Sequence, residues 1–285
     1  MTGHAMRRTR AAHRPTVMVV HAHPDDESSQ TGGTLARYAA QGCRTVLVTC
    51  TDGGEGSAPV GVQPGQIGYG RSLIAGTRSA ELRHACAALA ISDAFALGYR
   101  DTGLSPTPDP ESYSSLPLRP LVAQMLRIMR MLGPDVVVTY PPNGLSGHPD
   151  HIRTHDVVAA AHARLVADYA EGGSPHTPPQ LYYIALSTRQ LETLRTSIRD
   201  RLGPNAWAPP SSMAVDDRAI TTAIDVDDYW ANKLEALAAH ASQPDATELL
   251  RALAVHRDTP GKVEQYVRAY PPPQPGLPIS TDLFS

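Results

Sequence analysis

A short apolar run, Val17 to Val20, passes directly into histidines and carboxylates and then into glycines: residues 17–33 read VMVVHAHPDDESSQTGG. The run is too short for a helix and shows no polar alternation. It therefore reads as a strand buried on both faces, the kind found in parallel sheets covered by helices. In an open sheet of that type, ligands bind outside the carboxyl ends of the strands. His23, Asp25, Asp26 and Glu27 stand at that end, and Gly32 and Gly33 are expected to precede a helix marked by Leu35, Tyr38 and Ala39 and stopped at Gly42.

A second apolar run, Val136 to Val138, ends in the same way, with GHPDHIRTH over residues 147–155. Two strands ending at one edge bring His23 and Asp26 to His151. Two imidazoles and one carboxylate with an open position are the usual ligand set of a catalytic zinc. Ferrous iron takes the same donors, so Zn2+ is the expected ion and Fe2+ the alternative. Between the two clusters the pattern alternates: strand Arg44–Cys50, glycine-rich loop Thr51–Gly70, helix Arg78–Leu89, strand Ala94–Leu97, polar loop Gly98–Gly103, helix Leu118–Leu132. Such alternation implies right-handed crossovers and a parallel sheet. The loop glycines lack the spacing of a phosphate cradle or dinucleotide fingerprint.

His155 follows His151 by one helical turn on the same face, and reads as a histidine behind the ligands or in the core. A linker, Glu171 to Pro179, leads to strand Leu181–Ala185. Beyond it the pattern is less regular: a helix over Arg189–Arg201, a strand over Ala219–Ile224, helices over Asp228–Ala241 and Ala246–Val255, then an extended proline-rich stretch, Pro271–Pro278. His240 either approaches the site or finishes its helix.

With 285 residues the chain can bury a sizeable core. A net charge of -3, with no dense basic run past the N-terminus, argues against a nucleic-acid protein, and no apolar stretch has the length of a membrane span. Three cysteines without metal-type spacing suggest a reduced, cytoplasmic setting. The leader carries Arg7, Arg8, Arg10 and Arg14, but the apolar run after it is too short for a secretory core, so a disordered tail is expected. Only Lys233 and Lys262 are lysines among many arginines, which suggests a GC-rich source genome.

The motifs AHPDDE at Ala22–Glu27 and HPDH at His148–His151 are in the order and at the separation found in the PIG-L/LmbE-like metal-dependent N-deacetylases, and the chain resembles that superfamily over most of Val17 to Gln243. Supporting matches are Thr49-Cys50-Thr51 with Gly54-Glu55-Gly56, Arg78 and Glu81, Tyr99 to Gly103, and Ala239 to Gln243. The resemblance implies an α/β fold, a Rossmann-like mostly parallel sheet flanked by helices with a smaller C-terminal α/β lobe. The expected division is a tail over 1–15, a metal-binding catalytic core over 16–186, a lobe over 187–270 completing the same domain, and a proline-rich tail over 271–285.

Carried over to this chain, the resemblance makes His23, Asp26 and His151 the metal ligands, Asp25 the general base, and His148 the imidazole stabilising the transition state. It also implies that Arg78, Asp101 and Glu55 contact substrate hydroxyls. Asp150, between the two histidines, either orients an imidazole or caps the following helix. Related enzymes often carry a tyrosine at the position of Ser146, and one branch a lysine at the position of Gln30; this chain departs from both.

Amide hydrolysis needs an activated water and a stabilised oxyanion. A metal addresses both, and a free carboxylate such as Asp25 can take the water's proton and return it to the departing amine. The expected activity is removal of an acetyl or small acyl group from an N-acylated amino sugar or glycoside, in secondary metabolism or thiol-cofactor synthesis of a bacterium with such a genome. An amidase acting on a cysteinyl-glycoside conjugate is the alternative enzyme, and a non-catalytic sugar- or nucleotide-binding protein the alternative from another class. Charged residues around the site and only two phenylalanines point to a polar, hydroxylated substrate with little apolar surface around it.

Overall fold

The computed structural model describes residues 14–57, 70–171, 177–274 and 276–285. The leader, most of the glycine-rich loop and the middle of the 171–179 linker lie outside the described residues. In chain order the elements are β1 (Thr16–His21), α1 (Asp26–Ala40), β2 (Arg44–Thr51), α2 (Arg71–Ala88), β3 (Asp93–Tyr99), α3 (Leu118–Leu132) and β4 (Val136–Thr139). They continue with α4 (Pro149–Glu171), β5 (Gln180–Ala185), α5 (Thr188–Leu202), β6 (Thr222–Asp225), α6 (Trp230–Ala239), α7 (Pro244–Ala254) and β7 (Val263–Tyr270).

β1 is buried along its whole length because it lies inside the sheet, parallel to β2 on one side and to β4 on the other. The seven strands run in the order β3-β2-β1-β4-β5-β7-β6, with β7 antiparallel to both β5 and β6. Alternate residues of β1 serve two cores. Val17 and Val19 pack with Leu35, Tyr38, Leu89 and Leu237 under α1, α2 and α6. Met18 and Val20 pack with Met125, Met129, Val157 and Leu165 under α3 and α4. From β1 the chain winds outward through β2 to β3, then returns to place β4 on the other side of β1. The order therefore reverses between β1 and β4, which is where an open α/β sheet forms its crevice.

Three expectations need correction. Gly32 and Gly33 do not precede the first helix but sit within α1, which already begins at Asp26. A Cβ on Gly33 would lie 2.6 Å from Val226 Cβ, so the glycine permits close packing of the helix rather than marking its start. The strand expected over Ala219–Ile224 begins at Thr222, after a short 3-10 turn at Asp217–Ala219. β7 was not expected at all. Its inward-facing residues are Glu264 and Tyr266, and a buried carboxylate spoils the apolar alternation by which a strand is read. Glu264 is compensated by Lys233 Nζ at 2.6 Å and by the backbone N–H groups of Gly33 and Thr34, which donate at 3.0 and 2.8 Å.

The last residues return to the core instead of trailing from it. Leu283 is fully buried, its N–H donates to Tyr38 Oη at 2.7 Å, and the same hydroxyl donates to Asp282 at 2.8 Å.

Candidate metal and catalytic site

Both histidine clusters lie at the carboxyl ends of β1 and β4, on either side of the reversal in strand order. β1 delivers His23 and, at the first turn of α1, Asp26; the first turn of α4 delivers His151. His23 Nδ1 lies 3.3 Å from Asp26 Oδ2 and 3.3 Å from His151 Nε2, and His151 Nε2 lies 3.5 Å from Asp26 Oδ1. Donors at about 2.0–2.1 Å from one tetrahedral centre stand about 3.3–3.4 Å apart. The edge between His23 and His151 has that length, and each oxygen of Asp26 stands within 3.5 Å of one of the two rings.

The outward nitrogen of each imidazole is held. His23 Nε2 lies 3.2 Å from Asp150 Oδ2 and 3.5 Å from Asp101 Oδ1. His151 Nδ1 is 3.0 Å from the Gly144 carbonyl and 3.3 Å from Ser146 Oγ. Gly144 has φ 68°, and a Cβ there would lie 2.9 Å from His151 Cβ, so this carbonyl reaches the ring only because the residue is glycine. Bonds of this kind fix the ring and direct its lone pair inward. The Tyr140 ring stacks on His151 at 4.2 Å between centroids, while its hydroxyl accepts the Ala22 N–H at 2.9 Å.

The surrounding carboxylates also set the charges of the pocket. Burial opposes protonation of His23, yet Asp101, Asp150 and Asp26 outweigh it and hold the imidazole well above its usual pKa. Burial would raise Asp26, but the His151 and His23 rings keep it well below the carboxylate range. A divalent cation bound here would displace the proton that these carboxylates stabilise on His23, and the freed inner nitrogen, the His151 ring and the ionised Asp26 would form a donor set suited to a borderline metal.

Asp25 stands next to this triangle. Its carboxylate, 22% exposed, accepts from Arg78 Nη2 at 2.8 Å through Oδ2. Burial pushes its pKa up to about 6 against the pull of Arg78. The backbone is unusual, with φ 114° and ψ -25° at the N-cap of α1, and the side chain makes no cap bond. Aspartate is among the best N-cap residues, but in extended backbone and with its oxygen bonded to the helix N–H groups. Here that use is given up, and a positive φ at a non-glycine residue costs about 1–3 kcal/mol.

His148 stands beside both imidazoles, its ring 4.5 Å from that of His23 and 5.1 Å from that of His151. Burial, His23 and His151 push it down to about 4. Its Nδ1 accepts the Asp150 N–H at 3.1 Å, so the neutral ring carries its proton on Nε2.

Arg78 is buried, with Nη1 donating to the Gly53 carbonyl and Nη2 to that of Pro24 as well as to Asp25. Its Nε has no partner among the described residues. Asp101 is also buried and accepts from Gly103 N at 2.9 Å and Glu55 N at 3.2 Å. Glu55 pairs with Arg71 at 3.2 Å. All three line the cavity. His155 turns away from the triangle and bonds the Tyr140 carbonyl at 3.0 Å. His240 follows α6 and reaches Glu27 Oε1 at 2.8 Å. Two neighbours of the site were given no part in the sequence, and Glu27 was named there without a partner. Tyr140 directly follows β4, Thr102 donates to Asp150 from both N and Oγ1, and Glu27 bonds His240.

The cavity around the triangle measures about 960 Å³. Besides its polar residues, it is lined by Leu186, Leu194, Trp207, Met213, Leu249 and Leu253, which corrects the expectation of little apolar surface around the substrate. Those residues all follow β5, where the reading of the sequence was least regular.

Residues 18–162 match the family model described as GlcNAc-PI de-N-acetylase, PIG-L. A 1D-myo-inositol 2-acetamido-2-deoxy-alpha-D-glucopyranoside deacetylase of Rhodococcus erythropolis is 38% identical over 238 residues, covering 80% of this chain and 80% of the relative. An enzyme of Frankia alni bearing the same name, numbered 1, is 36% identical across 93% of this chain and 99% of its own. Among solved structures, the N,N'-diacetylchitobiose deacetylase of Pyrococcus horikoshii superposes with a TM-score of 0.60 at 20% identity, covering 89% of this chain and 83% of that one. That likeness is one of fold.

Proposed function

The chain belongs to the PIG-L, or GlcNAc-PI de-N-acetylase, family, and on that premise we propose that it is a zinc-dependent hydrolase that removes an acetyl or small acyl group from the nitrogen of an N-acylated amino sugar or glycoside. The observation that carries the reading is a carboxylate, Asp25, held by Arg78 beside a three-donor set that it does not join. A sugar-binding module has no use for such a carboxylate. The names of the relatives support an N-acetylglucosaminyl-inositol as the first substrate to test.

In this reading His23, Asp26 and His151 hold the ion. A divalent metal bound there supplies Lewis-acid polarisation of the amide carbonyl and a water acidified towards neutral pH. Oδ2 of Asp25 is tied to Arg78, which leaves Oδ1 to take the proton of the attacking water and return it to the amine nitrogen. His148 donates from Nε2 to the carbonyl oxygen as charge develops; losing such a donor costs about 3 kcal/mol of transition-state stabilisation. Asp150 and the Gly144 carbonyl keep the ligand rings in register. A reducing cytoplasmic setting is supported by the free cysteines Cys43, Cys50 and Cys86. No helix among the described residues is long and apolar enough to cross a membrane.

The test is amine release, with metal quantified on the same sample, from N-acetylglucosamine, N-acetylglucosaminyl-inositol, an N-acylated glycopeptide precursor and a cysteinyl-glycoside conjugate. Metal-dependent release from one of the first three supports the deacetylase, and release from the last alone favours the amidase. A protein that binds no metal and releases no amine is the binding module.

A further inference from the structure

We propose that His240 is a positioning residue for Asp25, acting through Glu27 on the backbone that aims the carboxylate. The proposal rests on the reading of Asp25 as the base.

The carboxylate of Asp25 is directed from two sides. Arg78 holds Oδ2 at 2.8 Å. The backbone is held separately: the Asp25 N–H donates to Glu27 Oε2 at 3.0 Å, and the Asp25 carbonyl accepts from Ser28 N at 3.1 Å and Ser29 N at 3.0 Å to begin α1. A left-handed φ at a residue with a Cβ persists only where its surroundings over-determine it. Glu27 takes the N–H of the peptide unit at the start of that turn, and Arg78 donates to the carbonyl of the same unit, so the two bonds together fix its plane. Relaxed to the extended backbone usual at an N-cap, Asp25 would turn its side chain onto the first-turn N–H groups of α1 and away from the reacting centre.

Glu27 is itself held. It is fully buried, and its second oxygen accepts from Ser28 Oγ at 2.5 Å and from His240 Nε2 at 2.8 Å. His240 is equally buried, and its Nδ1 has no partner among the described residues, so Glu27 is its side chain's hydrogen-bond partner. His240 caps α6, and the residues after it grip the rim of the site. Ser242 takes both oxygens of Glu81 at 2.8 Å, and Gln243 exchanges bonds of 3.1 Å with the backbone of Ser57. A purely packing role would be met by an apolar side chain at 240. A ring nitrogen aimed at the carboxylate that fixes Asp25 is an orienting device.

The test compares His240→Leu, His240→Gln, Asp25→Asn and the Asp25→Asn/His240→Leu double variant as full-length, metal-loaded proteins. Each is assayed on the glycoside hydrolysed fastest in the panel above, with bound metal and melting temperature recorded. His240→Leu is expected to lower kcat by about 10- to 100-fold, the usual effect of losing an outer partner, with KM and metal stoichiometry unchanged. His240→Gln, whose amide can donate to Glu27, should recover most of the rate. In the Asp25→Asn background, His240→Leu should cost nothing further, because both act through one group. An additional loss in that background, or a loss that tracks released metal, overturns the proposal. So does wild-type kcat in His240→Leu while Asp25→Asn is inactive, and that outcome leaves the base reading standing. Full activity in Asp25→Asn overturns both. If His240→Leu does not fold, Glu27→Gln replaces it throughout and is judged by the same outcomes.

Discussion

At the scale of single residues, neighbours in sequence divide the labour because their surroundings differ. Asp26 faces two imidazoles and stays ionised among them, whereas Asp25, one position earlier, faces Arg78 and the cavity. Removing a donor and removing the base should therefore separate. His151→Ala should lose bound metal and activity together. Asp25→Asn should keep its metal and lose at least about a hundredfold in kcat, within the range of general acid-base contributions. Metal content and turnover measured on both variants decide this; equal metal loss in the two would place Asp25 among the ligands. His240 gives a separate signature in stability. Burial lowers its proton affinity, but Glu27 outweighs burial and the folded pKa is raised above 6.5. The stability that the charged ring contributes is then fully present below about pH 6.5 and is lost as pH rises through the folded value. Urea unfolding of the wild type and His240→Gln should differ most in acid and converge in alkaline buffer; a gap that widens with pH would reverse the assigned shift.

At the scale of elements, α1 shows how a distant strand is built into the site. Lys233, on α6, donates to the Ser29 carbonyl at 2.8 Å and pairs with Glu264 of β7, which takes two consecutive N–H groups of α1. The ion pair thus engages the backbone of the helix that begins at Asp26, and Gly32 leaves room for the Lys233 side chain, whose Cγ would lie 3.2 Å from a Cβ there. Glu264→Ala would leave a buried lysine and two helix N–H groups without their carboxylate, at a cost of about 3–5 kcal/mol. Chemical denaturation measures this. A change of less than about 1 kcal/mol would mean that water or another side chain replaces the carboxylate.

At the scale of the whole molecule, the cavity is wider and more apolar than a monosaccharide requires. Trp207 is 39% exposed and Leu104 81% exposed, and both line it. Apolar wall left open to water favours a ligand that covers it, by about 25 cal/mol for each Å² removed from solvent. Trp207→Ala should raise KM about tenfold or more for an aryl or alkyl glycoside of N-acetylglucosamine and leave the unsubstituted sugar nearly unchanged. Equal effects on the two would assign Trp207 to the stability of the 203–215 segment instead.

The order of the two motifs, the apolar runs before them and the alternation of strand and helix up to β5 are local properties, and the sequence alone determined them along with the residues able to act as donors and as base. Those features recur within a few residues and depend on the pleat and the helical turn. Three things were decided only by tertiary structure. The reversal of strand order beside β1 makes neighbours of residues more than a hundred positions apart. β7 is a strand whose buried carboxylate makes sense only against Lys233 and α1. The apolar lining of the cavity is assembled from segments that each look ordinary alone. In each case the partner that compensates a buried charge or covers an apolar face comes from elsewhere in the chain, and no local pattern records it.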